Sequence, residues 1–443
     1  MKKVSYIICC FAILPSLLMS ACSSGGATSS AGSTKQTPGA KKVTLRYNWW
    51  GSQVRHDMTL KAIKIFEEKN PGITIEPEFG NYDGYFDKLN VQMSAGSAPD
   101  LFTVDLFSVN TYISNGAALS YQPYIDKGKL NVNDIDKLML KYGSANEKQY
   151  GFPTGSLASG ILCDVDIFKE LGIDLPSNDW TWEDFYNTCV KIHEKSGGKY
   201  YGSSDCNGDM NFAEMWVRQY GIPEFTDGHL TAGVEKYYAG WFKMWDDLRK
   251  GKGVPPAEVT ANEGYQMENR GLSLGTAAMD INSTNKVATY EGVMKNRGHK
   301  IALIAFPHQK NEKRAGGFVQ PSQFICVSSK SKNPDEAVKF IDYIANDLDS
   351  AKALGYERGV QVNAKFRKEM IPFLNATDLR MNDFIDYASK NYSSMDGLTP
   401  QGYVEARAKF LTVSQTIAFG TTSIEDACRT FAADANKIFD RAK

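Results

Sequence analysis

Residues 43–105 alternate strand and helix patterns, and that order leaves few folds open. Val43-Thr44-Leu45-Arg46-Tyr47 alternates as a strand does and runs into Asn48-Trp49-Trp50-Gly51-Ser52. Met58, Ala62, Ile65 and Phe66 share one face of a helix over 58–68, which Asn70-Pro71-Gly72 stops. Ile73-Thr74-Ile75 reads as a second strand, and Tyr85, Leu89 and Met93 mark a second helix. Leu101-Phe102-Thr103-Val104 is a third strand, ending at Asp105. Strands joined through helices make a parallel sheet of βαβ units, so the expected class is α/β. A chain of 443 residues exceeds one ordinary core and suits two domains.

Later segments repeat these elements. Tyr150-Gly151-Phe152-Pro153-Thr154-Gly155 is extended and turn-rich. Thr181 and Asp184 have capping-box spacing, with Trp180 and Phe185 placed as a hydrophobic staple. Strand patterns return at 275–280 and 301–306, and Asn333-Pro334 opens a helix carrying Val338, Ile341 and Ile344. Ile424, Cys428, Phe431 and Ile438 line one face of a last helix.

The N-terminus has its own logic. Lys2 and Lys3 precede a mostly apolar run over 4–19, broken by Pro15 and too short to span a bilayer, so residues 1–21 read as a secretory signal. Leu18-Met19-Ser20-Ala21-Cys22 resembles the lipobox of bacterial lipoproteins, with Met19 where leucine is commoner. The resemblance implies cleavage before Cys22, lipidation of its thiol and a membrane anchor. Ser, Gly, Thr and Ala dominate 22–42, the composition of a disordered tether.

Charge is balanced, 50 Lys+Arg against 51 Asp+Glu, without a long basic run; nucleic acid is not an expected partner. Cys163, Cys189, Cys206, Cys326 and Cys428 are odd in number and widely spaced, which suits buried thiols rather than a disulfide framework or a zinc site. Asp205-x-Asn207-x-Asp209 starts like a calcium loop but has Met210 and Trp216 where glycine and glutamate belong, so a polar surface loop is expected. No cofactor motif is present.

Several motifs occur together in order: Trp49-Trp50-Gly51, Phe66–Ile73, Lys88-Leu89, Ala95–Asp100, Tyr150–Pro153, Trp180–Phe185, Gly275–Met279, Lys332–Ala337 and Glu357–Val360. Across 43–443 this set resembles the extracellular solute-binding proteins of carbohydrate ABC importers, the maltose-binding-protein-like group. The resemblance implies two α/β lobes, each a mainly parallel sheet flanked by helices, around a hinge. Lobe one would take 43–150 and 304–346; lobe two would take 155–300 and 350–443. Crossings would fall near 151–155, 301–306 and 354–360, with an oligosaccharide held in the cleft by a monomer and passed to permease subunits.

A sugar offers hydroxyl rims, which need carboxylates, amides or guanidinium groups, and C–H faces, which need flat rings. Strand-end loops supply both: Trp50, Ser52 and Arg55 after the first strand, Tyr82 and Asp83 after the second, Asp105 after the third. Of Trp49 and Trp50, alternation turns one inward, and Trp50 beside Gly51 is the one expected in the cleft. Asp280 and Asn282 follow the Gly275–Met279 motif where relatives present ligand contacts, and Arg358 lies near the last crossing. Each has a plainer alternative: Asp280 as a solvated strand end, Arg358 as a hinge ion pair. Trp180, Trp182, Trp241 and Trp245 are expected in the core. Arg55-His56-Asp57 is similar to a subgroup associated with acidic, pectin-derived oligosaccharides, which implies that Arg55 or Arg358 faces a uronic acid. A glycosidase and an adhesive surface lipoprotein are the rival classes; GxSxG, HExxH and P-loop motifs are all missing.

Overall fold

The computed structural model describes residues 42–263 and 267–442. The signal segment, Cys22 and nearly all of the tether lie outside the described residues.

The chain opens with β1 (Val43–Trp50), α1 (Gln53–Lys69), β2 (Ile73–Gly80), α2 (Tyr85–Ser94) and β3 (Leu101–Val104). β1 pairs in parallel with β2 from Val43↔Ile73 to Trp50↔Gly80, and with β3 on its other side. α1 starts earlier than apolar spacing predicts because Ser52 caps it, accepting from the Arg55 amide at 3.4 Å.

β4 (Gly151–Asp164) is 14 residues long and belongs to both lobes. Its first part pairs antiparallel with the later strand β8 (Val319–Val327), from Cys326↔Gly151 to Val319↔Ala158. Its last part lies between β6 (Ala277–Ser283) and β7 (Ile301–Ile304), both antiparallel to it. β6 is flanked on its far side by parallel β5 (Tyr201–Ser203). The sheet order is β2-β1-β3-β8-β4-β6-β5, with β7 on β4. The α/β two-lobed class is as expected, with antiparallel pairings of β4 and β8 added to the parallel ones. β4 leaves the first lobe and β8 returns to it, so the strands that join the lobes must run in opposite directions.

Residues 305–317 are held by residues 180–219. The Trp180 indole donates to Ala305 O at 2.8 Å, the Lys313 amide to Gln219 O at 2.8 Å, and Arg218 Nε to Gly316 O at 3.0 Å. The helix Leu348–Leu354 packs on α1, whose Lys69 pairs with Asp347 and Asp349. The crossing at 355–360 meets β4 through reciprocal Ser156–Val360 backbone bonds of 2.7 and 2.9 Å. This approach requires glycine: a Cβ on Gly155 would sit 2.3 Å from Arg358 O, and Gly359 has φ +108°.

In the second lobe, α3 (Trp182–Lys195) carries the complete Thr181–Asp184 capping box, and the Trp180 and Phe185 rings meet at 5.7 Å. Its Trp182 packs edge-on against Trp216 of α4 (Met210–Arg218) and Trp241 of α5 (Glu235–Lys250). Trp241 and Trp245 are fully buried, as expected of a core stripe. α6 (Tyr403–Ala418) and α7 (Ile424–Ala442) close the lobe. The five cysteines are free and buried. Asp205 and Asn207 are buried too, correcting the expected surface loop. The two carboxylates of this stretch are already engaged: Asp205 pairs with Arg249 at 2.5 Å, and Asp209 caps α4 and meets Arg407 at 3.3 Å.

Candidate functional site

The carboxyl ends of β1, β2 and β3 converge, and alternation along β1 sends its two indoles to opposite faces. Trp49 is wholly buried against Tyr47 and Phe79, and its Nε1 donates to His56 Nδ1 at 3.1 Å. Trp50 keeps 8% of its surface and meets Tyr85 and Tyr82 edge-on, at 5.0 and 5.5 Å. Tyr85 is a core residue whose hydroxyl donates to Thr103 O at 2.8 Å. Tyr82 is 48% exposed, so its ring offers an apolar face to solvent above Trp50. Its hydroxyl donates to Asp105 Oδ2 at 2.7 Å; desolvation, then the Asp105 charge, pushes the phenol pKa up. Asp105 Oδ1 also accepts from the Ser108 amide and hydroxyl, at 2.8 and 2.6 Å. Asp83 is exposed beside Tyr82. This cluster combines a flat ring with an oriented carboxylate, the two elements that a sugar face and rim require.

The second lobe closes beside it. The Phe107 ring, two residues past Asp105, stacks on Tyr403 of α6 at 5.2 Å and 15°, with the Arg407 guanidinium 5.3 Å from its centre. Asn110 donates to Thr399 O at 3.4 Å. Phe107 was not singled out from sequence; its position just beyond a strand-end aspartate was the available signal.

The remaining expected residues are placed differently. Ser52 is engaged as the α1 cap. Arg55 Nε donates to Glu357 Oε2 at 2.6 Å, and its Nη1 to Trp50 O at 3.1 Å. Asp280 is neither a solvated strand end nor open to a ligand. It is fully buried in the interior strand β6, and its oxygens are bound by Arg270, Tyr290 and Cys206. Asn282 is half-buried, with its amide 3.5 Å from the Tyr290 hydroxyl. Arg358 is 4% exposed and donates to Thr59 Oγ1 at 2.7 Å, tying the last crossing to α1. Burial lowers its pKa.

Asp164, Asp166 and His299 are close enough to share a metal ion, but their ligand atoms have protein partners. His299 Nδ1 lies 2.7 Å from Asp164 Oδ2, Asp164 Oδ1 caps a helix start, and Asp166 Oδ2 accepts from the Lys300 amide at 3.0 Å. Among the described residues, no helix is long and apolar enough to cross a membrane.

Residues 52–347 match the family model described as bacterial extracellular solute-binding protein. A multiple sugar-binding protein of Streptococcus mutans is 25% identical over 350 residues, covering 75% of this chain and 76% of that protein. Among solved structures, a periplasmic solute-binding protein of Pectobacterium atrosepticum superposes with TM-score 0.82 at 23% identity, covering 90% of this chain and 99% of that one. A periplasmic oligogalacturonide-binding protein of Yersinia enterocolitica, in complex with saturated digalacturonic acid, superposes with TM-score 0.79 at 22% identity, with the same coverage. Both likenesses bear on the fold. With the family model matching residues 52–347 and the fold in agreement, the chain belongs to the bacterial extracellular solute-binding protein family.

Proposed function

We propose that this protein is the substrate-binding lipoprotein of a carbohydrate ABC importer. It captures an oligosaccharide in the cleft between its lobes and delivers it, unmodified, to permease subunits in the membrane to which Cys22 is anchored. The observation that carries the reading is the half-exposed Tyr82 ring over Trp50 with Asp105 held at its hydroxyl. A ring of this kind stacks on a pyranose face while neighbouring oriented polar groups reach its hydroxyls. The sugar-binding name of the streptococcal relative agrees with it. Enclosure between lobes excludes water and makes capture depend on hinge closure.

A panel of neutral and acidic oligosaccharides tests this by calorimetry, thermal unfolding and chromatography of the recovered sugar. Saturable binding, a raised Tm and intact sugar are expected. Cleaved sugar would favour a glycosidase, and no response to any saccharide an adhesin. Replacing Cys22 with serine is expected to release the protein from the membrane fraction and abolish palmitate labelling; membrane retention would refute the anchor.

A further inference from the structure

The turn that carries Asp105 also reaches across to helix α6. Asp105 Oδ1 accepts from the Ser108 amide and hydroxyl, and Asp105 O accepts from the Val109 amide at 3.0 Å. These bonds bracket Phe107, so its ring moves as one unit with the carboxylate that holds the Tyr82 hydroxyl. The Phe107 ring is half-buried and lies flat on Tyr403, with the Arg407 guanidinium over it. Tyr403 is 1% exposed, and its ring also meets Phe225 edge-on at 5.8 Å, which fixes it among the helices α4–α7.

Tyr403 ends a strap, residues 393–403, that bridges the same gap along its length. One side of the strap is pinned. Arg218 of α4 donates to Ser393 Oγ at 2.6 Å and to Ser394 O at 2.7 Å, and Arg314 Nη2 donates to Asp396 Oδ2 at 2.6 Å. Its other side reaches the segments around β3 and the start of β4. The Met395 amide donates to the Tyr142 hydroxyl at 3.1 Å, and Asn110 Nδ2 donates to Thr399 O at 3.4 Å. Tyr142 belongs to the stretch leading into β4, where the Gly151 amide donates to Gly143 O at 2.9 Å. A hinge opening that carries α4 away from β3 breaks the contacts at Tyr142, Asn110 and Phe107 together.

All three contacts are made of protein atoms, so they act whether or not a sugar is bound. Each is modest: a stacked ring pair under a cation, and two hydrogen bonds. Together they bias the balance of open and closed forms rather than lock it. We propose that Phe107 is a positioning residue that couples sugar capture to closure: the strap holds a share of the ligand-free protein closed, and Phe107 links that latch to Asp105. The coupling rests on the sugar-binding reading above, whereas the latch stands on protein contacts alone. The apparent Kd of such a receptor is the closed-form Kd divided by the fraction already closed, so the strap contributes affinity without touching the sugar.

Small-angle X-ray scattering of the ligand-free protein, with isothermal titration against xylotriose, cellotriose, galactobiose and digalacturonate, tests it. Phe107→Ala is expected to raise the ligand-free radius of gyration above the wild-type value. It should also raise Kd about 2- to 10-fold for each of these sugars that the wild type binds, with far-UV circular dichroism unchanged. Tyr142→Phe leaves the Met395 amide without its acceptor at the far end of the strap from Asp105. It is expected to shift both quantities in the same direction, which a direct contact between the Phe107 ring and sugar would not produce. An unchanged ligand-free radius of gyration in both variants would overturn the latch, whatever sugar binds. A larger radius with Kd unmoved would overturn the coupling. A larger radius with no binding of any of the four sugars would uphold the latch and count against the sugar-binding reading.

Discussion

Tyr82→Ala separates ligand stacking from folding at one position. The ring touches Trp50 at 5.5 Å and Phe86 at 5.7 Å, both edge-on, and its hydroxyl bonds Asp105 at 2.7 Å. Removing these contacts costs about 0.5–1.5 kcal/mol for the aromatic packing. The lost bond to a carboxylate adds roughly 1 kcal/mol, since water can reach the half-exposed site and replace part of it. The folded state should therefore lose about 2 kcal/mol and survive. Binding should lose about 1–3 kcal/mol if the exposed face stacks on sugar, a roughly 5- to 150-fold rise in Kd. Tyr82→Phe keeps the ring and drops only the bond to Asp105, so it should lose about 1 kcal/mol of stability while keeping Kd within about threefold. Calorimetry with the best sugar of the panel gives the Kd values, and urea unfolding gives the stabilities. A Tyr82→Ala protein that is folded and binds as the wild type does would remove this ring from the site.

Other perturbations follow from the same contacts. Thr181→Ala removes the hydroxyl half of the α3 capping box, leaving Asp184 to accept from the residue-181 amide, and should cost about 0.5–2 kcal/mol in urea unfolding, with no change expected in ligand Kd. Arg218 is fully buried and bonds Gly316 O, Ser393 Oγ and Ser394 O while pairing with Asp396; Arg218→Ala should lose about 3–5 kcal/mol, and a loss below about 1 kcal/mol would refute its role as a pin. Burial raises the Glu214 carboxyl from its ordinary 4.5 to about 7, against the opposing pull of Arg218. Its contribution is complete below pH 4.5 and fades as pH rises through about 7, because only the folded state then holds the proton. Urea midpoints at pH 5–8 should fall across that window in the wild type and fall less in Glu214→Gln; equal slopes would refute the assignment.

The strand–helix order of the first lobe was legible because local signals do not depend on the rest of the chain. The apolar spacing of α1, the Asn70-Pro71-Gly72 stop and the Thr181–Asp184 box each act within a few residues. The opposite facing of Trp49 and Trp50 was legible for the same reason, since it follows from strand alternation alone, although both indoles are buried and Trp50 keeps only 8% of its surface. Asp280 was misread because its partners Arg270, Tyr290 and Cys206 come from three other segments. A strand-end aspartate has the same local appearance whether it faces solvent or an arginine.

The sequence by itself determined the α/β class and the lobe-one strand ends, and the structure brings Trp50, Tyr82 and Asp105 together there. Only the tertiary structure decided which charges remain available to a ligand. Arg55, Gln323 and Glu357 lie far apart along the chain and meet only where β4 and β8 carry it between the lobes. A guanidinium's availability depends on what already binds it, and those partners are long-range: Thr59 for Arg358 Nη2, whose Nη1 has no partner among the described residues, and Glu357 for Arg55.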